Sequence, residues 1–198
     1  MSADDRATET GKTTAIAEEQ EYVTGLYAAL DAERELVARR LEDSLRAVDD
    51  GEPQAQAERE AATATYSDRM AQLKSVEQGL CFGRLDFTDE RLARGDVESP
   101  LYIGRLGLFD ESDDYRPLLI DWRAPVARPF YLATAASPDG VRRRRHLRTL
   151  TRRVVDVDDE VLDLGAEGDS DHLGLAGEAA LLSALERRRT GEMSDIVA

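Results

Sequence analysis

The chain has 198 residues, 41% hydrophobic and 34% charged, which is typical of a globular protein with a modest core. Its net charge of −15 argues against a protein that wraps nucleic acid over its whole surface, because phosphates attract basic faces. The single cysteine, Cys81, excludes an internal disulfide and a zinc-binding cysteine cluster, and it suits a cytoplasmic protein without a membrane-spanning segment.

The N-terminal segment 1–14 is polar, and we predict that it is a disordered tail. Residues 10–14 read TGKTT, which matches the end of a phosphate-binding loop. The complete motif requires a glycine five positions before Gly11, where this chain has Arg6, and a buried strand before the loop. We therefore expect no nucleotide site in this segment.

Two amphipathic helices are predicted next, over about 15–49 and 53–78. Gly51 and Pro53 separate them, and Gly79 ends the second. The apolar stripe of the first helix consists of Ile16, Val23, Leu26, Tyr27, Leu30, Val37, Leu41, Leu45 and Val48. The stripe of the second consists of Ala55, Ala62, Tyr66, Met70, Leu73 and Val76. The pattern predicts an antiparallel coiled-coil hairpin over 15–79.

The predicted tip of this hairpin carries three carboxylates, Asp49, Asp50 and Glu52. One interpretation is a solvated turn, because Asp and Gly favour turns. The other is a carboxylate group that meets a divalent cation or a basic pocket on a partner.

After Gly79 the apolar residues alternate along short β-branched runs, which predicts a small antiparallel sheet or barrel-like domain over 80–164. A polar, glycine-rich linker follows at 165–175, and a short helix is predicted in 176–198. The predicted fold class is therefore α+β: a long antiparallel α-helical hairpin, a small antiparallel β-sheet or barrel-like domain, and a short C-terminal helix.

One predicted strand is unusually basic, with Arg142, Arg143, Arg144, Arg145 and Arg148. These arginines either pair with the following acidic run, Asp156, Asp158, Asp159 and Glu160, or form a surface that binds nucleic acid or an acidic protein. On the second interpretation, replacing the first four arginines with glutamine leaves stability unchanged and weakens partner binding.

No combination of residues predicts a catalytic, metal or cofactor site in this chain. Cys81 begins a predicted strand among apolar residues and is expected to be a small core residue. Asp121 and Arg123 flank the single tryptophan, Trp122, and we expect their ion pair to lock a turn.

The runs CFGRLD, YIGRLGLFD and PLLIDWRAPVARPFYLATAASPDGVRRRRH resemble the N-terminal region of HelD-type proteins. These are UvrD-like helicase relatives that bind bacterial RNA polymerase, and the chain looks most like their actinobacterial branch. The resemblance covers about residues 15–198, and the ending GEMSDIVA resembles the segment before the family's ATPase core. The resemblance implies that the hairpin inserts into the secondary channel of the polymerase. It also implies ATP and magnesium as cofactors of the full-length proteins, outside this chain.

Three functions stay open at this point. The resemblance favours a polymerase-docking module in which the hairpin 15–79 and its tip face the partner, with no tip residue carried over as catalytic. The second is part of an ATP-dependent, UvrD-like DNA helicase or translocase that acts on nucleic acid. The third is a stand-alone coiled-coil adaptor. The genomic sequence after Ala198 distinguishes the first two, because a P-loop there predicts an ATPase.

Overall fold

A computed structural model of the chain describes residues 3–46, 53–95, 100–110 and 112–163. The helices are α1 (Ala3–Arg46), α2 (Pro53–Ser75), α3 (Asp89–Leu92), a 3-10 turn (Pro125–Ala127) and α4 (Pro129–Leu132). The strands are β1 (Cys81–Phe87), β2 (Leu101–Gly104), β3 (Leu108–Asp110), β4 (Arg116–Asp121), β5 (Val141–Leu150) and β6 (Arg153–Val161). The predicted tip, the linker 165–175 and the segment 176–198 lie outside the described residues.

The six strands form one sheet in the order β3-β4-β2-β1-β5-β6. Four neighbouring pairs are antiparallel, whereas β2 and β4 run parallel, with Ile103 opposite Ile120. The α+β class is confirmed, and the sheet is mixed rather than antiparallel throughout. The parallel pair arises because β3 occupies the edge of the sheet and β4 lies between β3 and β2. Since β4 is antiparallel to β3, it runs in the same direction as β2.

Each face of the sheet carries its own core cluster. On one face α1 packs Leu26 with the sheet residues Tyr102 and Leu147. On the other face the short helix α4 places Phe130 in a cluster with Ile103. Successive strand residues point to opposite faces, so all four residues of β2 are buried.

Glycines in the two GRL sequences allow the backbone to pack closely at both faces. A Cβ atom on Gly83 would lie 2.3 Å from the ring of Phe130, and one on Gly104 would lie 2.2 Å from the carbonyl oxygen of Leu80. Any side chain at either position would collide with its neighbour. These glycines are therefore required by packing within the sheet domain.

Helix α1 is longer than its apolar stripe predicts. It begins at Ala3, so residues 3–14 are helical in the structure rather than disordered. In this segment Lys12 forms an ion pair with Asp156 of β6, with Nζ and Oδ1 2.5 Å apart. Since the TGKTT segment is regular helix, its backbone N–H groups are not arranged in a phosphate-binding loop.

Residues 33–46 of α1 lie antiparallel to α2, and these two segments are termed the arm. Arg69 Nη2 lies 2.5 Å from Glu33 Oε1, and Thr63 Oγ1 donates to Ser44 Oγ at 3.0 Å. The sequence predicts a hairpin over 15–79, whereas residues 15–32 pack largely on the sheet, because Val23 and Leu26 of their stripe are buried there. The 23 residues of α2 give the arm a length of about 35 Å.

The predicted stripe of α1 becomes less buried toward the distal end of the arm. Val23, Leu26, Tyr27, Leu30 and Val37 are buried, Leu41 is half-buried, and Leu45 is 65% exposed. In α2, Leu73 is buried, Tyr66 and Met70 are half-buried, and Ala55 is exposed. The seam is therefore tight where the arm meets the sheet and open near its end.

Candidate functional site

The arginine-rich strand β5 lies inside the sheet, between β1 and β6, rather than along an edge. Its register places Arg144 opposite Glu160, Arg145 opposite Asp159 and Arg148 opposite Asp156. Cross-strand neighbours of opposite charge stabilise a sheet. The acidic run that follows in the sequence is therefore the direct partner of the basic run.

Arg145 is the most buried member of this run. Its Nε and Nη2 donate to Asp159 at 2.5 and 2.6 Å, and its Nη1 donates to Glu19 of α1 at 2.7 Å. The hydrogen bonds that Arg145 donates to Asp159 and to Glu19 raise its pKa, although burial opposes this rise. The guanidinium therefore stays charged and joins the first helix to the last strand.

Arg145 belongs to a closed charge ring whose members are Glu19, Arg84, Asp86, Arg143, Asp159 and Arg145. Arg84 bridges Glu19 at 2.8 Å and Asp86 at 2.9 Å. Arg143 Nε donates to Asp86 at 2.7 Å, and its Nη1 lies 3.6 Å from Asp159. Three carboxylates and three guanidiniums cancel in net charge, which makes the burial of Glu19 tolerable.

Two more arginines of the run are also paired. Arg144 donates to Glu160 at 3.0 Å and to the carbonyl of Phe130 at 2.8 Å, and Arg148 donates to Asp156 at 3.0 Å. Arg142 is exposed, and within the described ranges no carboxylate lies within ion-pair distance of it. The structure thus uses Arg143, Arg144 and Arg145 inside the fold, so stability should depend on them, whereas the anion-surface interpretation predicts unchanged stability. The ion pair of Arg148 lies at the surface.

A second network fixes the base of the arm to the sheet. Arg152, at the turn between β5 and β6, donates to Asp31 of α1 at 2.6 Å and to Glu77 after α2 at 2.7 Å. Its guanidinium carbon also lies 4.8 Å from the ring centre of Tyr27. Hydrogen bonds from Arg152 lower the pKa of both carboxyls, Asp31 and Glu77.

The turn after β4 is locked as the sequence predicts. Arg123 Nε and Nη2 donate to the two carboxylate oxygens of Asp121 at 2.9 and 2.6 Å, and the Arg123 backbone N–H donates to the same side chain. The prediction of an ion-pair-locked turn is confirmed. The turn holds Trp122 outward, where it is 46% exposed.

Beside this turn lies an open groove of about 530 Å³, termed the aromatic groove, lined by Gly79, Phe82, Arg105, Trp122, Arg123 and Tyr131. Gly79 follows α2, so the groove lies where the arm joins the sheet. Tyr131 is 49% exposed, and its ring meets that of Trp122 at a centroid distance of 6.1 Å. Exposed Trp and Tyr beside arginine form the composition most enriched at protein–protein hot spots.

Comparison with known families identifies the chain. Residues 16–173 match the family described as DNA helicase IV HelD, N-terminal domain. The chain belongs to this family. A search of curated proteins finds no match. The resemblance carried by the CFGRLD, YIGRLGLFD and DWRAP runs is therefore confirmed.

Those three runs meet in one part of this HelD-family chain. The first GRL glycine, Gly83, receives Phe130, which follows the DWRAP run, and Gly104 of the second lies opposite Asp121 in the parallel strand pair. The Trp122 backbone N–H also donates to the Gly104 carbonyl at 2.9 Å. The family's recognisable residues thus lie on three adjacent inner strands, β1, β2 and β4, next to the aromatic groove.

Sequence reasoning missed Glu19 and Arg84. Glu19 occupies a core position of the α1 stripe, since it lies between Ile16 and Val23 at helical spacing. An acid at such a position signals a buried partner, but the partner's identity depends on strand pairing. The tip carboxylates Asp49, Asp50 and Glu52 lie outside the described residues, and their role stays a prediction.

Cys81 is buried at the start of β1, as predicted, and burial raises the pKa of its thiol to about 12. We expect the native HelD-family chain to resist an aromatic disulfide reagent at about pH 8, because the thiolate is the reactive form. Full reaction is expected after unfolding in guanidinium. Rapid labelling of the native chain would contradict the buried placement.

The raised pKa of Cys81 also affects stability at high pH. Since the folded pKa lies above the unfolded value of about 8.5, this thiol's contribution to stability is lost as pH rises from about 8.5 toward 12.

Two searches of the described residues complete the account of the site. No helix in these ranges combines the length and apolar composition needed to cross a membrane. Across the same ranges, no three side chains of the His, Cys, Asp or Glu type cluster in a way that could hold a metal ion.

Proposed function

We propose that this chain is the RNA polymerase-docking portion of a HelD-type transcription factor, with the arm entering the secondary channel of the bacterial enzyme. The observation that carries the proposal is the arm itself, an antiparallel helix pair anchored to the sheet by Arg152 and by the charge ring. A slender pair of helices about 35 Å long suits a narrow pore. The alanines of α2 keep it thin; they are Ala55, Ala57, Ala61, Ala62 and Ala64.

The proposal gives the tip residues a role at the far end of the arm. Asp49, Asp50 and Glu52 would be attracted to a basic funnel and then to a magnesium-bearing site, where carboxylates are favourable ligands. Arg142, the member of the arginine run with a solvated guanidinium, is a further candidate contact for an anionic partner. ATP and magnesium belong, in this proposal, to the full-length family rather than to these residues.

We expect the chain to displace a labelled Gre-type cleavage factor from core RNA polymerase. A variant in which a short Gly-Ser turn replaces residues 40–66 should fail to displace it. This deletion shortens the arm but keeps the Glu33–Arg69 ion pair, Val37 and the whole contact with the sheet. A thermal melt of the shortened variant controls for folding. Equal displacement by both proteins would show that the arm is not the docking element.

A matched variant tests the tip separately. Replacing Asp49, Asp50 and Glu52 with alanine leaves the arm at full length, so weaker displacement would assign binding energy to the carboxylates. Unchanged displacement would mean that these residues form a solvated turn.

The family's description as DNA helicase IV favours a second candidate: a portion of an ATP-dependent helicase that acts on DNA. A strand-separation assay on the gene product that contains this chain discriminates the two. ATP-dependent unwinding of a DNA duplex in the absence of polymerase would support the helicase. Polymerase release without unwinding would support the docking factor.

A further inference from the structure

The rings of the aromatic groove are held in place before any partner binds. Trp122 meets Tyr131 at an interplanar angle of 72°, and Tyr131 meets the buried Phe130 at 80° with centroids 5.3 Å apart. The backbone beneath Trp122 is fixed by the Asp121–Arg123 ion pair. A partner that binds here therefore orders few side chains, which lowers the entropic cost of association.

One cation in the groove is available for a partner. Arg105 is exposed, and among the described residues no carboxylate lies within ion-pair distance of its guanidinium. The group lies over Gly79, where a Cβ would be 3.6 Å from Arg105 Nη2. Arg123, by contrast, is engaged by Asp121. A guanidinium that no described carboxylate engages, in a groove with two exposed rings, favours a carboxylate that is accompanied by an apolar side chain.

The same features argue for a protein partner over nucleic acid. Single-stranded nucleic acid uses parallel ring faces in a groove with many cations, whereas these rings meet edge to face and Arg105 acts alone. A short acidic segment with one apolar anchor fits the charge and the rings together.

We propose that the aromatic groove is a second docking site, which takes an acidic segment of the partner protein. A carboxylate of that segment pairs with Arg105, and an adjacent apolar side chain packs against the exposed surfaces of Trp122 and Tyr131. Because the groove adjoins the base of the arm, a partner that takes up the arm is brought to the groove. The identity of the partner as RNA polymerase rests on the proposed function.

Binding to core RNA polymerase tests the site with a charge-matched control. Arg105→Glu and Trp122→Ala are each expected to weaken the affinity at least about tenfold, as for hot-spot residues. Arg94→Glu makes the same charge change at an exposed arginine after α3, and its affinity should stay near that of the wild type. Wild-type affinity in both groove variants, in a chain that still binds polymerase, would overturn the proposal. A common weakening in all three variants would also overturn it, because it would show a general charge effect.

The chemistry of the groove can be tested without polymerase, because Trp122 is the chain's one tryptophan and its emission reports on the groove. The probe is a tryptophan-free peptide with a leucine between glutamates, compared with the same peptide carrying lysines. A saturable emission change with the acidic peptide alone, lost in Arg105→Glu, supports the proposal. No change, or equal changes with both peptides, overturns it. A chain that responds to the acidic peptide but does not bind polymerase would refute the proposed function while supporting the groove chemistry.

Discussion

Replacing Arg145 with glutamine is expected to lower the free energy of unfolding by about 3–5 kcal/mol, because Glu19 would lose one of its two cationic partners in a fully buried position. Asp159 would lose both of its short hydrogen bonds at the same time. For a domain of this size, the melting temperature should fall by about 10 °C or more. Urea unfolding followed by circular dichroism measures the change.

The neighbouring residue Arg148 provides the control. It lies on the same strand and makes one ion pair, with Asp156, but its side chain is 72% exposed. Arg148→Gln should therefore change stability by less than about 0.5 kcal/mol. If both variants lose the same stability, the charge ring contributes no more than a surface pair. A Glu19→Gln, Arg145→Gln double variant that recovers part of the loss would confirm that the two residues are coupled.

A large loss is also expected for Leu30→Asp. Leu30 is fully buried, in the same core cluster as Leu73 and Val76 where the arm meets the sheet. A carboxylate at this position would lie among apolar side chains, so the substitution combines lost apolar contacts with the cost of burying a charge. We expect a cost of several kcal/mol, measured by thermal and urea unfolding.

Leu45→Asp tests whether this cost depends on burial rather than on helix chemistry. It makes the same change in the same helix, at a residue that is 65% exposed. Its stability should stay within about 0.5 kcal/mol of the wild type. A comparable loss at Leu45 would mean that the distal seam is closed in solution.

The local features of this fold were predictable because they depend on residues close together in the sequence. The helical period identifies α1 and α2, and Gly51 and Pro53 separate them. The turn at Asp121 and Arg123 requires two residues and one ion pair. Each of these predictions follows from spacing alone.

The charge ring could not be predicted in this way. Its ion pairs join α1, β1, β5 and β6, and the pairing of β5 with β1 is a choice that no local pattern encodes. The same holds for the parallel contact of β2 with β4. The arginine run therefore had two valid sequence interpretations, and strand order places most of it inside the fold.

The helical state of residues 3–14 was missed for a different reason. Their composition is polar, so no apolar stripe identifies a helix. The helix continues from the packed part of α1, and Lys12 gains a partner in Asp156 across the tertiary structure. Tertiary contact thus overrides a weak local preference.

The large sequence separation of Glu19 and Arg145 affects how the chain folds during its synthesis on the ribosome. The two residues are 126 positions apart, whereas the Glu33–Arg69 contact of the arm spans 36. At a synthesis rate of roughly 5–20 residues per second, about 6–25 s pass between the synthesis of Glu19 and that of Arg145. During that interval the arm can pair with itself while the sheet-facing side of α1 stays uncovered. We expect nascent-chain proteolysis to find the arm protected first and the N-terminal half of α1 protected only after β6 has emerged.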